Sequence, residues 1–228
     1  MRANVLAFVL LLLNSIGFSA LPDSSYGFVG GMSSFNQIIK NSAGAVDDSY
    51  SSDLGLYLGV FGERYLSSSW VLSPGIYFSQ KGAKDNSGSR RANYLETSAL
   101  LRWYFSDGPR LRSYFGFGGA FGILMSAEDA PNSGGPIDKA GSFSRNELSA
   151  QLGWGIEFPV AEDTGMQVGL TYSRSLTNFL NPAAAGVGGN QGTWNGFYGF
   201  VALRFKSQKE SNTVEDRARD YLKYKKSS

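Results

Sequence analysis

Residues 147–158 read ELSAQLGWGIEF, and this stretch decides the fold. Apolar side chains stand at every second position, and small or polar residues, among them Glu147 and Glu157, stand between them. Such two-residue alternation is typical of a β-strand whose two faces meet different surroundings. The stretch therefore predicts a strand with one apolar face and one face that is small or charged.

The same alternation recurs in eight segments along the chain. They lie at 25–34, 53–65, 70–82, 92–105, 111–126, 146–160, 166–176 and 194–206. Most of them reach the roughly 9 to 11 residues that a tilted strand needs to cross a bilayer. The connections between them alternate in length, as an up-and-down barrel requires. Short ones at 66–69, 106–110 and 161–165 alternate with long ones at 35–52, 83–91, 127–145 and 177–193. We therefore predict an all-β fold, an eight-stranded antiparallel up-and-down transmembrane β-barrel at 21–206 with a short C-terminal tail.

The two chain ends carry different signals. Arg2 precedes an apolar run at 5–13, which is followed by small residues, so 1–20 has the pattern of a secretory signal peptide. Residues 207–228 are rich in charge, and we interpret them as a periplasmic tail. We expect an outer-membrane, multi-pass protein of a Gram-negative cell envelope, with both termini in the periplasm and the long connections facing outward.

The composition excludes several function classes. The chain has 228 residues, with no cysteine and no histidine, so disulfide frameworks, thiolate metal sites and Ser-His or Cys-His catalysis are ruled out. The formal charge of +2 at pH 7 gives no polyelectrolyte signal, so nucleic acid is not expected as a partner. We predict no catalytic residues, no cofactor and no metal.

The charged residues of the alternating segments fall on the small or polar face. We predict a lumen charge network there, with four acidic and four basic members. Its members are Glu63, Lys81, Glu96, Arg102, Arg112, Glu147, Glu157 and Arg204. Charges inside a narrow barrel are expected to pair, because an unpaired buried charge costs several kcal/mol. Five of them, near the short connections, are expected to form one layer: Glu63, Arg102, Arg112, Glu157 and Arg204.

The alternative is a soluble barrel of the lipocalin kind, in which the apolar face would point inward and these charges would be solvated.

Six aromatic residues of the apolar face cluster near the short connections. They are Trp70, Trp103, Phe105, Phe115, Phe158 and Phe205. Aromatic rings favour the headgroup level of a membrane, so this set is expected to form a girdle at the lipid interface.

Sequence motifs in several predicted strands resemble those of a known family. Leu72 to Gly82 reads LSPGIYFSQKG, Tyr94-Leu95-Glu96 leads to LLRWYF at 100–105, and Gly169 to Ser173 reads GLTYS. These motifs resemble the PorT-like outer-membrane β-barrel family, over residues 25–206. Thr97-Ser98 departs from the pattern, because the family has an apolar residue and proline there. The resemblance implies architecture and location, of the small OmpA or OmpX type, and no catalytic residues.

The predicted function is therefore a non-enzymatic, porin-like barrel whose lumen is filled by side chains and whose four loops serve envelope structure or surface interaction. Two alternatives are a narrow channel or secretion-associated barrel, and an outer-membrane lipid-modifying enzyme. The expected partners are outer-membrane lipid and lipopolysaccharide, the barrel-assembly machinery, and a surface ligand bound through the loops. Trp194, at the loop end of the last strand, is predicted to be a surface contact residue.

Overall fold

The computed structural model describes residues 24–47, 49–86, 88–107, 111–133, 135–181 and 190–206. The predicted signal peptide at 1–20 and the predicted tail at 207–228 lie outside the described residues.

Eight long strands make up nearly all of the described chain. They are β1 (Ser24–Lys40), β2 (Ser51–Tyr65), β3 (Trp70–Lys84), β4 (Gly88–Asp107), β5 (Arg112–Pro131), β6 (Asn146–Ala161), β7 (Thr164–Ser175) and β8 (Gln191–Lys206). Two short strands, Val46–Asp47 and Ile137–Asp138, and a 3-10 turn at Ala140–Ser142 lie in the connections. Nowhere in the described ranges is there a helix with the length and hydropathy of a membrane span.

The eight long strands form one closed antiparallel sheet. Each strand pairs with the next along the chain, and β8 pairs with β1 to close the barrel. The register between β5 and β6 pairs Phe117 with Leu152 and Tyr114 with Gly155. Closure leaves no free strand edge, which is the condition for a sheet that spans lipid. The predicted fold class is confirmed.

The alternation places the polar face inside. On β6, Glu147 and Glu157 are buried, and Glu157 is only 3% exposed. Leu148, Leu152 and Trp154 point outward, and Leu152 is 61% exposed. A lipocalin-like barrel would show the opposite arrangement, so the structure excludes that alternative.

The strands are longer at one end than the sequence predicts. The strand β3 ends at Lys84 and β4 begins at Gly88. The connection between them is therefore much shorter than the predicted one at 83–91. The strand β5 continues to Pro131, well past the predicted end at residue 126. The prediction of long loops was wrong here because the ladder continues with polar cross-strand partners, such as Arg90 and Asp129, in place of an apolar face.

Inward-facing glycines make room for large rings in the lumen. Tyr114 lies opposite Gly155, and a Cβ atom at residue 155 would lie 2.5 Å from the Tyr114 hydroxyl oxygen. The Tyr114 ring cannot easily move away, because its centroid is 5.4 Å from that of Tyr104 and 4.9 Å from Cζ of Arg102.

Gly155→Ala is therefore expected to lower the free energy of unfolding by about 1–3 kcal/mol, the usual cost of overpacking a core. Urea titration in lipid vesicles, followed by tryptophan fluorescence, measures it. Gly199→Ala is the matched control, since a Cβ atom at this strand position meets no described atom within 4 Å. Equal stability of the two variants would contradict the packing argument.

Candidate functional site in the barrel lumen

A layer of paired charges lies in the lumen near the short connections. We call Glu63, Arg102, Glu157 and Arg204 the lower charge layer. Arg102 Nη1 lies 2.6 Å from Glu63 Oε1, and Arg204 Nη2 lies 2.8 Å from Glu157 Oε1. Arg204 Nη1 also lies 3.9 Å from Glu63 Oε2, which links the two pairs. Two acids and two bases make the layer formally neutral, and all four residues are less than one-tenth exposed.

Neutral side chains add hydrogen bonds to the carboxylates and to Arg102 of this layer. The amide of Gln167 donates to Glu63 Oε1 at 2.7 Å and accepts from Arg102 at 3.0 Å. Tyr104 donates to Glu157 at 2.8 Å, and Ser25 donates to Glu63 at 2.8 Å. A buried charge network of this kind is stable only when such additional bonds satisfy the carboxylates.

The barrel brings these residues together because their side chains point inward from different strands. Glu63 comes from β2, Arg102 from β4, Glu157 from β6, Gln167 from β7 and Arg204 from β8. Four of them stand four or fewer residues from the strand end at this side of the barrel, and Arg102 stands five from the end of β4. The layer therefore crosses the full width of the lumen at one height.

Aromatic rings fill the lumen above this layer. The rings of Tyr57 and Tyr77 stack with centroids 5.2 Å apart, and those of Tyr57 and Tyr198 stack at 4.4 Å. Phe35 lies against Tyr198 at 4.9 Å. All four rings are buried, so the middle of the lumen is packed like a protein core.

A second group of charges lies nearer the long connections. We call Lys81, Glu96 and Glu147 the upper charge cluster. Lys81 Nζ lies 2.8 Å from Glu96 Oε1 and 2.7 Å from Glu147 Oε1. The same ammonium lies 5.2 Å from the Phe35 ring centroid and 5.0 Å from that of Tyr94. One lysine thus binds both carboxylates, and all three residues are at most 2% exposed.

Described parts of two connections, at 140–145 and 176–181, pack against each other at the end of the barrel that carries the long connections. We call the stacked rings of Phe143, Phe179 and Trp194 the outer aromatic cap. Phe179 stacks on Trp194 at 4.7 Å and on Phe143 at 5.3 Å. Backbone bonds join the two connections, with Ser144 N donating to Phe179 O at 2.5 Å and Asn181 N donating to Ser142 O at 2.9 Å.

The prediction that Trp194 is a surface contact residue was wrong. Its side chain is 0% exposed, and its indole Nε1 donates to the Tyr94 hydroxyl at 3.4 Å. Trp194 shares the inward side of β8 with Tyr198, Ala202 and Arg204, all of which are buried. The alternation on β8 already placed Trp194 on the inward face. The prediction of exposure relied instead on the position of Trp194 near a loop.

Arg112 lies outside the lower charge layer, contrary to the prediction. Its Cζ atom lies 4.1 Å from the Tyr104 ring centroid, and its Nη2 donates to the Ser68 carbonyl oxygen at 3.2 Å. Arg112 is the first residue of β5, so its side chain reaches the rim of the barrel and the neighbouring turn. The remaining seven predicted charges divide between the lower layer and the upper cluster.

The six predicted girdle aromatics lie on the outside of the barrel near the short connections. The rings of Trp70 and Trp103 lie 6.4 Å apart, Trp103 and Phe105 5.9 Å apart, and Phe105 and Phe115 5.1 Å apart. Phe205 joins a second group, with its centroid 5.8 Å from that of Tyr26. Phe158, between these groups on β6, is half-buried.

Sequence reasoning missed the neutral partners of the charges. Gln167 stands on the inward side of β7 between Gly165 and Gly169, so the alternation marked it as a lumen residue. Its contacts with Glu63 and Arg102 depend on which strands lie opposite each other across the lumen, and a single sequence does not hold that distance information.

The carboxylates in the lumen are held in ion pairs. Each carboxylate of the two charge groups lies within 3 Å of a cationic nitrogen. Within the described ranges, no three acidic side chains converge as a metal site would require. What the geometry provides is a lumen occupied by side chains at four heights, from the lower charge layer through the aromatic rings and the upper charge cluster to the outer aromatic cap.

The comparisons with known proteins give a family. The family model for the outer membrane protein beta-barrel domain matches residues 22–181. None of the curated proteins matches the chain significantly.

Several solved structures are similar at low sequence identity. The outer membrane protein OprG from Pseudomonas aeruginosa is 16% identical, with 81% of this chain and 97% of that chain covered and a TM-score of 0.49. Neisserial surface protein A is 14% identical, with 79% and 97% covered and a TM-score of 0.45. Ail, the attachment invasion locus protein of Yersinia pestis, is 12% identical, with 81% and 100% covered and a TM-score of 0.39.

The family match spans well over half of the chain and runs from the start of the first strand to the connection after the seventh. The described strands close into a β-barrel, which is the fold that the family description names. The chain belongs to the outer membrane protein beta-barrel domain family.

Proposed function

We propose that this protein is a closed, non-conducting outer-membrane barrel that contributes to envelope structure and acts through the end that carries its long connections. The lower charge layer is the observation that carries the proposal. Bonds of 2.6–3.0 Å join its side chains from β2, β4 and β7, and one of 2.8 Å joins those from β6 and β8. Arg204 Nη1, at 3.9 Å from Glu63 Oε2, links the two groups across the lumen. Eight strands enclose a space just wide enough for side chains, so a paired layer of this kind leaves no continuous water path.

The proposed orientation places the short connections and both termini in the periplasm. In this arrangement residues 1–20 are a cleaved export signal, and 207–228 are a periplasmic tail. The outer aromatic groups around Trp70 and Phe205 then lie at the inner interface of the membrane, where rings are favoured. The lipid and lipopolysaccharide of the outer membrane contact the exterior, and the barrel-assembly machinery recognises the last strand. The resemblance of 72–82 to the PorT-like family supports the same location.

The proposal assigns no enzymatic activity. An acid-base pair needs a group free to accept or release a proton at the reacting atom. Glu96 and Glu147, the closest approach to such a pair, both bind Lys81 under the outer aromatic cap. The absence of histidine and cysteine from the sequence supports the same conclusion.

Conductance in planar bilayers tests the proposal against the narrow-channel alternative. We expect the purified full-length protein to show no stepwise conductance, because side chains fill the lumen from the lower charge layer to the outer aromatic cap. Unheated and boiled samples are compared on a gel, and a difference in mobility between the two shows that the unheated protein is folded. A steady ohmic conductance of the unchanged protein, raised further by Arg102→Ala, would contradict closure and favour the channel.

A further inference from the structure

A cavity of about 200 Å³ opens at the end of the barrel that carries the long connections. It lies between the tip of the β3–β4 hairpin and the end of β5. Its walls mix charged, aromatic and aliphatic side chains, and the residues used below are Tyr50, Ala83, Asp85, Arg90, Asp129, Pro131, Ile137 and Lys139. The cavity is separate from the lumen site, because none of its lining residues belongs to the two charge groups or to the outer aromatic cap.

An ion pair supplies the polar wall of the cavity. Arg90 Nε lies 2.8 Å from Asp129 Oδ1, and Arg90 Nη2 lies 3.3 Å from Asp129 Oδ2. The Arg90 guanidinium is also anchored from below, where its Nη1 lies 3.5 Å from the buried Gln37 Oε1. About a quarter of each paired side chain remains exposed. The wall therefore presents fixed donors and fixed acceptors side by side, which hydroxyl groups can bind through charge-assisted hydrogen bonds.

The rest of the cavity is apolar or aromatic. Ala83 is fully buried at the base, and Pro131 and Ile137 border it. Tyr50 adds a ring that is itself packed against the aromatic core of the barrel. A ring of this kind gives a flat apolar surface to a ligand at little entropic cost. A ligand that fits must therefore combine hydroxyl groups with C–H faces.

Charge and size narrow the ligand class further. The cavity holds two acids, Asp85 and Asp129, and two bases, Arg90 and Lys139, so its formal charge is zero. A balanced set gives no preference for an anion or a cation. The volume lies below the roughly 300 Å³ at which pockets for drug-sized ligands begin, so it suits a single ring.

We propose that this cavity binds one neutral sugar ring, either a free monosaccharide or one unit of a glycan. The inference rests on the proposed working role of the long-connection end. It is separable from the closed lumen, because conductance tests closure and sugar binding tests the cavity.

Saturation-transfer NMR on the full-length protein in lipid nanodiscs tests the proposal. Nanodiscs are required because a detergent with a sugar headgroup would compete. The probes are glucose, galactose, mannose and N-acetylglucosamine up to about 10 mM, and a trisaccharide of whichever ring binds. Saturable transfer to at least one neutral sugar is expected. Binding of the free ring alone identifies a monosaccharide site, whereas binding of the trisaccharide as well identifies a glycan site, and either result supports the proposal.

Asp129→Asn and Glu128→Gln form a matched pair. The residues are neighbours on β5 and undergo the same change of charge, but Asp129 lines the cavity, whereas Glu128 does not line it and is exposed. We expect Asp129→Asn to raise the dissociation constant at least fivefold and Glu128→Gln to leave it unchanged. Tyr50→Leu gives a second test that keeps the ion pair, with the same expected loss.

Three results would overturn the proposal. They are the absence of saturable binding by every probe, equal binding by the Asp129 and Glu128 variants, and unchanged binding by folded Tyr50→Leu. The gel mobility of unheated samples shows whether each variant is folded.

Discussion

Arg102→Met is expected to lower the free energy of unfolding by about 3–5 kcal/mol, the usual cost of leaving a buried charge without its partner. Arg102 is 4% exposed and donates to Glu63 Oε1 at 2.6 Å and to Gln167 Oε1 at 3.0 Å. Methionine fills much of the same volume but cannot neutralise Glu63. The lower charge layer would then hold two carboxylates and one guanidinium, that of Arg204. Unfolding in lipid vesicles by increasing concentrations of guanidinium chloride, followed by tryptophan fluorescence, measures the loss of stability.

Arg91→Met is the matched control for this prediction. Arg91 Nε lies 3.1 Å from Asp53 Oδ2, but the Arg91 side chain is 49% exposed. The Asp53 side chain is 14% exposed, but the Arg91 guanidinium keeps contact with water. A pair with one solvated partner is expected to contribute only about 1 kcal/mol or less, so little change is expected. Adding Glu63→Gln to Arg102→Met should recover part of the loss, because it removes the uncompensated charge. Similar losses from the two arginine variants would show that the lower charge layer is not a desolvated network.

Leu152→Arg is expected to destabilise the barrel by about 2–4 kcal/mol in a bilayer, the cost of a cation on the lipid face near the midplane. Leu152 lies halfway along β6 and points outward, with Phe117 of β5 beside it in the register. In a water-soluble protein the same change at so exposed a position would move stability by no more than about 0.5 kcal/mol. The expected effect therefore comes from the solvent around the barrel, and refolding into vesicles at a series of urea concentrations measures it.

Leu176→Arg controls for the substitution itself. Leu176 is 62% exposed, almost the same as Leu152, but it follows the end of β7 at the long-connection end. The cost of a cation falls to about 0–1 kcal/mol near the membrane interface, so this variant should be nearly neutral. If Leu152→Arg were as stable as Leu176→Arg, the apolar exterior would not be facing lipid.

The sequence predicts the strands best where lipid imposes the alternation. On β6 the stretch from Glu147 to Phe158 shows which face is polar, and the structure begins that strand at the predicted residue, Asn146. The strand β4 differs, since it begins at Gly88 and not at residue 92. Beyond the apolar band, pairs such as Arg90 and Asp129 continue the ladder on polar side chains. Such pairs have no periodic signal to set them apart from a loop.

The sequence predicts which residues face the lumen, but it does not predict which of them are in contact there. Alternation marks Glu63, Arg102 and Arg204 as inward residues, and their chemistry requires partners. The sequence does not show which residues meet across the barrel, because that depends on strand tilt and stagger. For this reason the division into two charge groups, the exclusion of Arg112 and the role of Gln167 emerge only from the structure.

Pairing of β8 with β1 has a consequence for how the protein is made. The two strands that close the sheet lie at opposite ends of the described residues, so the barrel cannot close until β8 has been synthesised. Until then both edge strands present unpaired backbone groups, which are prone to aggregation. Contacts between such distant residues also form slowly. The polypeptide is therefore expected to be more prone to aggregation before the barrel closes than afterwards.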